Sequence, residues 1–244
     1  CVINISGSFR LVSERRDSPY EYLNVDLVEK LVHLCNEFGV QRFLHISCLG
    51  SRLESESFFL STKSEGESIL RESSLYWTIF RPSYMFGERF PFIEMLKPII
   101  TFKPFLGVVG SGLNRIQPVL VDDVAKAIVD SIYDKETARK TYDLGGPFDY
   151  AFVDLLQMVR DEFDLSGGVM TIPSQLSGKV FDMVKNIMPK NTLNLELAQL
   201  LIADSFAEDE SAREYFELSN IALEDHLPAI VETLKEKKSG KGKS

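Results

Sequence analysis

The chain has 244 residues, 27 basic and 36 acidic side chains, and a formal net charge of −9. That length accommodates one large domain, or one domain with a small appendage. The negative balance argues against a nucleic-acid surface as the main function. No apolar stretch approaches the ~20 residues of a bilayer-spanning helix, so no transmembrane span is expected. Cys1, Cys35 and Cys48, and His33, His45 and His226, are too few and too scattered for a disulfide framework or a metal centre. A reducing compartment is the simple reading.

The chain opens on Cys1-Val2-Ile3-Asn4-Ile5-Ser6-Gly7, an apolar β-type run ending in small residues. A polar loop follows up to Pro19, a helix-start signal. From Tyr20 to Phe38 apolar residues recur at the helical period, and Gly39 stops the helix. Phe43 to Ser47 reads as a strand and Phe58 to Ser73 as a helix. Tyr76 to Phe80 is a third strand, ended by Arg81-Pro82-Ser83. Continuous apolar strands alternating with helices imply parallel βαβ units buried on both faces. The fold class is α/β, a doubly wound parallel (Rossmann-type) sheet over residues 1–150.

Residues 88–118 are rich in Pro and Gly and read as short helices and loops. Val121 starts a helix, with Asp122 and Asp123 favouring its N-terminal dipole. Thr141 to Gly146 is another short strand. A mostly helical C-terminal region is expected over 151–234. Its helices run from about Phe152 to Phe163, Leu176 to Met188, Leu193 to Phe206 and Leu223 to Leu234, with a strand at Val169 to Ile172. Residues 235–244 read as a flexible basic tail.

Doubly wound sheets bind ligands beyond the carboxyl ends of their strands. Three such ends are available here, at Ser6-Gly7, Ser47-Cys48 and Arg81-Pro82-Ser83. Lys63 lies in the helix that follows the second of them.

The runs Gly39 to Ser47, Ser61 to Glu67, Thr78 to Ser83, Gln117 to Ala125 and Thr141 to Pro147, taken in order, resemble the extended or atypical short-chain dehydrogenase/reductase superfamily. Within it they are most similar to the dehydrogenase-like accessory subunits of mitochondrial respiratory complex I. The resemblance covers roughly residues 1–150. It implies a Tyr-x-x-x-Lys pair, in which the phenol exchanges a proton and the lysine holds the nicotinamide ribose. Lys63 matches the lysine, but Phe59 stands in the tyrosine's place and has no proton to exchange. Ser47 matches the family's hydroxyl, with Cys48 as an alternative.

The family's Gly-rich phosphate loop has no counterpart, since the resemblance enters the fold at its fourth strand. Either the N-terminal strands are missing from this sequence, or the protein lacks the pyrophosphate cradle. The resemblance favours the first.

The resemblance therefore implies a non-catalytic, NADPH-binding accessory subunit of complex I, peripheral on the matrix side of the mitochondrial inner membrane. NADPH would be a structural ligand contacted by Ser6, Gly7, Ser47, Lys63, Pro82 and Ser83. Partners would be other complex I subunits, with possible lipid-headgroup contact by the tail. Two alternatives stay open: a soluble NAD(P)-dependent reductase or epimerase with a relocated acid, and a cofactor-sensing regulatory protein. By itself Lys63 also reads as a solvated helix lysine, Ser47 as a turn residue, and His45 as a hydrogen-bonded core residue.

Overall fold

The computed structural model describes residues 1–7, 19–101, 106–172, 200 and 202–239. The apolar runs form a four-stranded, all-parallel sheet from β1 (Val2–Asn4), β2 (Arg42–Ile46), β3 (Tyr76–Pro82) and β8 (Lys140–Leu144), in the order β1-β2-β3-β8. Asn4 pairs with His45, His45 with Ile79, and Ile79 with Thr141. Because side chains alternate across a strand, Phe43, Trp77 and Ile79 face one side. There they pack on Val28 and Cys35 of α1 (Leu27–Glu37) and Leu70 of α2 (Phe58–Glu72). Leu44, Phe80 and Tyr142 face the other side, against Val124, Ala127 and Ile128 of α4 (Val121–Asp130). Both faces are covered, as a doubly wound sheet requires.

The helix expected from Tyr20 is preceded by a π-helical turn, Tyr22–Asp26, leading into α1. Helix α2 starts where Ser57 Oγ accepts the Leu60 N–H at 3.2 Å, a side-chain cap. Gly66 lets α2 touch the π turn: a Cβ there would fall 2.1 Å from the Asn24 carbonyl oxygen. A Cβ at Gly146, after β8, would meet Pro118 O at 1.8 Å.

Residues 88–118 hold α3 (Pro91–Ile100), β5 (Leu106–Val109) and β6 (Arg115–Ile116), just after β4 (Met85–Phe86) and before β7 (Val119–Leu120). Strands of two to four residues are too short to show a period, which is why that stretch reads as helix and loop. A further core joins α3, α5 (Phe152–Glu162) and α7 (Leu223–Ser239), with β9 (Tyr150–Ala151) and β10 (Val169–Ile172) alongside; α6 is Ser211–Tyr215. Buried Arg160 of α5 donates to the carbonyls of Ile100 (2.7 Å) and Ser166 (3.1 Å), tying α3 to the end of α5.

Two C-terminal expectations need correction. The helix expected to reach Phe206 does not: Ser205 is extended and bridges Ile116 in parallel, because its main chain finds partners on β6 instead of on a helical turn. Residues 235–239, expected in the tail, are helical: α7 continues through Ser239, extending a helix already docked by Leu227, Ile230, Val231 and Leu234. Leu176 to Met188, the first part of the 193–206 helix, and residues 240–244 lie outside the described residues.

Candidate functional site

Parallel strands end on one side, so the segments after β1, β2 and β3 converge there. They wall a cavity of 320 Å³, and Ser6, Gly7, Ser47, Lys63, Pro82 and Ser83 all line it. The remaining lining is mainly apolar and includes Phe59, Leu60, Met85, Phe92 and Leu200.

Lys63 projects from α2 into this cavity and is only 5 % exposed. Its Nζ donates to Ile46 O at 3.1 Å and more weakly to Ser6 O at 3.5 Å. An ammonium has three donors, so one is left for the cavity among the described contacts. Burial pushes this amine below its ordinary pKa, against an opposing pull from Cys48 and Glu67. Phe59, one turn earlier, lines the same cavity and packs edge-on against Tyr20, with ring centres 5.2 Å apart. A phenyl ring there offers the cavity no proton.

Glu67, one turn after Lys63, is fully buried and saturated. Arg81 Nε and Nη2 reach its two oxygens at 2.8 and 2.5 Å, and Arg71 Nη2 adds a third bond at 2.9 Å. This clamp pins α2 to the end of β3 and so sets the height at which Lys63 meets the strand ends.

Asn4 links the core to the site. Its Nδ2 donates to His45 Nδ1 at 3.2 Å, and its Oδ1 accepts the Ser6 N–H at 3.0 Å. His45 therefore carries its proton on Nε2, which has no hydrogen-bond partner among the described residues. Burial, reinforced by the charge of Lys63, holds its pKa down at about 3. Ser47 Oγ lies 3.3 Å from Ser51 Oγ, and Cys48 Sγ lies 3.2 Å from the same hydroxyl. Burial pushes the Cys48 thiol up, so it is a thiol and not a thiolate.

Two contributions are not legible in the strand-end pattern. Tyr84 lines the cavity, stacked on Phe92 at 3.9 Å and 25°, and burial raises its phenol. Its signal was its place two residues after the end of β3. Ser205 closes the wall: Ser83 Oγ donates to its carbonyl at 2.8 Å and lies 3.0 Å from its hydroxyl. Gln117 N also donates to Ser205 O, at 2.9 Å, and Ser205 N to Arg115 O, at 2.8 Å. Among the described residues, no three His, Cys, Asp or Glu side chains gather as metal ligands. Among the same residues, no helix is long and apolar enough to cross a membrane.

No protein-family profile matches the chain. Individual proteins do. The chain is 33% identical over 162 residues to NADH dehydrogenase [ubiquinone] 1 alpha subcomplex subunit 9, mitochondrial, of Arabidopsis thaliana, spanning 66% of this chain and 40% of that protein. It is 28% identical over 158 residues to the mitochondrial NADH-ubiquinone oxidoreductase 40 kDa subunit of Neurospora crassa, spanning 64% and 41%. The mouse subunit 9 is 32% identical over 161 residues, spanning 65% and 41%. The matched segment thus spans about two fifths of these relatives' length.

Among solved structures, a nucleoside-diphosphate-sugar epimerase from Staphylococcus aureus superposes with a TM-score of 0.68 at 17% identity, covering 93% of this chain and 75% of that one. A UDP-glucuronic acid 4-epimerase from Bacillus cereus, in complex with UDP-glucuronic acid and NAD, gives 0.65 at 17%, covering 95% and 73%. The chain is thus a sequence relative of complex I subunit 9 and has the fold of the extended short-chain dehydrogenases.

Proposed function

We propose that this chain is part of a non-catalytic accessory subunit of mitochondrial complex I, and that its strand-end cavity holds the nicotinamide-ribose half of a structural NADPH. Three points of geometry fit that group. Lys63 keeps a donor for a ribose hydroxyl. Gly7 stands beside it without a side chain, where a Cβ would already lie 3.5 Å from Nζ. The apolar floor suits a flat ring. NADPH would bring a transferable hydride, yet Phe59 leaves the helix without a proton to accompany it. The single observation that carries the reading is a retained ribose-binding lysine beside a phenyl ring in place of the phenol. A ligand that binds only the native state stabilises the fold by mass action, which gives the nucleotide a role without turnover.

The relatives named as mitochondrial complex I subunits support the assignment to that assembly, with other subunits as partners; a peripheral place on the matrix side of the inner membrane is part of the proposal. The test is native mass spectrometry of the isolated respiratory complex. One dinucleotide per copy of the intact protein, migrating with the complex, is expected. An intact copy without nucleotide, or one migrating alone, overturns the proposal.

A second reading has one observation in its favour. Tyr84 puts a phenol into the same cavity and could be the relocated acid of a reductase or epimerase. Turnover of NADPH by the full-length protein with an aldehyde or a sugar nucleotide, abolished by Tyr84→Phe, would establish it.

A further inference from the structure

Lys63 is a buried amine with an open space in front of it. Among the described residues its partners are two main-chain carbonyls and no carboxylate. The buried hydroxyls around it are occupied with one another: Ser47 with Ser51, and Ser83 with Ser205. Asp204, also on the wall, spends its Oδ1 on the Arg115 N–H. The rest of the wall is mainly apolar, with Ser6, Cys48 and Tyr84 as its further polar residues. Such a pocket presents a buried amine beside an apolar floor to an electrophile with an apolar chain.

We propose that in the nucleotide-free protein Lys63 is a carbonyl-binding site that forms an imine with small aldehydes bearing an apolar chain. The neutral amine's lone pair attacks the carbonyl carbon, and the C=O π electrons move to oxygen. The two amine hydrogens leave with that oxygen as water while the C=N bond forms, so no oxidant or reductant is needed. The aldehyde's chain lies on the floor made by Phe59, Leu60, Phe92 and Leu200. Removal of the amine from water favours its neutral, nucleophilic form. The site does not depend on dinucleotide binding, but both would use Lys63 and must exclude each other.

The test uses the full-length protein, stripped of nucleotide on charcoal, with limiting hexanal and sodium cyanoborohydride at neutral pH. Peptide mapping then follows each lysine. Exposed Lys135 and Lys140 serve as reference amines. Lys63 should be alkylated faster than these, and Lys63→Arg should remove that modified peptide alone. Added NADPH should suppress the reaction. Labelling that is fast but indifferent to NADPH keeps the carbonyl site and overturns the dinucleotide reading. Labelling of Lys63 no faster than of Lys135 and Lys140 in the stripped protein overturns the carbonyl site.

Discussion

Lys63 and Glu67 stand one turn apart on the same helix, both buried, and the chain treats them oppositely. Glu67 receives three hydrogen bonds from two arginines. Lys63 receives two carbonyls and an open cavity. A buried charge is tolerated when its partners replace water, so the Glu67 region is built for stability. The Lys63 region leaves part of that compensation undone, which is the mark of a place kept for a ligand.

The sharpest way to break the contrast is Glu67→Ala. It leaves Arg81, at the end of β3, with Asp143 at 3.9 Å and releases α2, and should cost about 3–5 kcal/mol in urea unfolding. A loss below about 1 kcal/mol would mean the clamp is incidental. Lys63→Met should do the reverse: unchanged or slightly higher stability, because an uncompensated charge is removed, with dinucleotide retention down about tenfold to a hundredfold from the lost charged hydrogen bonds. Equilibrium dialysis with NADPH decides it, and equal retention in the variant would remove Lys63 from the site.

The Asn4–His45 link sharpens the comparison through pH. The folded pKa of His45, about 3, lies below its ordinary 6.5. Its contribution is therefore complete above about pH 6.5 and is lost as pH falls towards 3, where the unfolded chain binds a proton that the folded chain refuses. The slope approaches about 1.4 kcal/mol per unit, or about 2 kcal/mol between pH 6.5 and 5. His45→Gln should flatten that part of the pH–stability curve, and an unchanged slope would show that another group sets it.

Ser57→Ala removes the cap of α2 and should cost about 1 kcal/mol in thermal or urea unfolding, without altering which side chains line the cavity. The smallest effect is expected of Phe59→Tyr: no NADPH oxidation with a small carbonyl, since a phenol alone does not create a substrate pocket. Measurable turnover would place this protein one substitution from an enzyme.

The alternating pattern of β1 to β3 with α1 and α2 is legible because each element states its period locally: apolar runs for buried strands, a 3.6-residue repeat for helices. The pairing of Phe59 with Lys63 is equally local, being a spacing within one helix. The short strands β4 to β7 are not legible, because two to four residues carry no period. Ser205 reads as helix because its neighbours are good helix formers, while its main chain is claimed by Arg115 and Gln117, about ninety residues earlier in the chain.

Sequence alone therefore determined the fold class, the strand ends where a ligand could sit, and the spacing that sets Phe59 one turn before Lys63 on one helix. Each of these is a property of neighbouring residues. Only the tertiary structure decided that the six strand-end and helix residues share one cavity, and that Tyr84 and Ser205 complete its wall. It also decided that, among the described residues, Glu67 takes three hydrogen bonds from two arginines while Lys63 has two main-chain carbonyls. Those outcomes depend on parallel strands ending together and on contacts between distant segments, and no local periodicity encodes a distance in space.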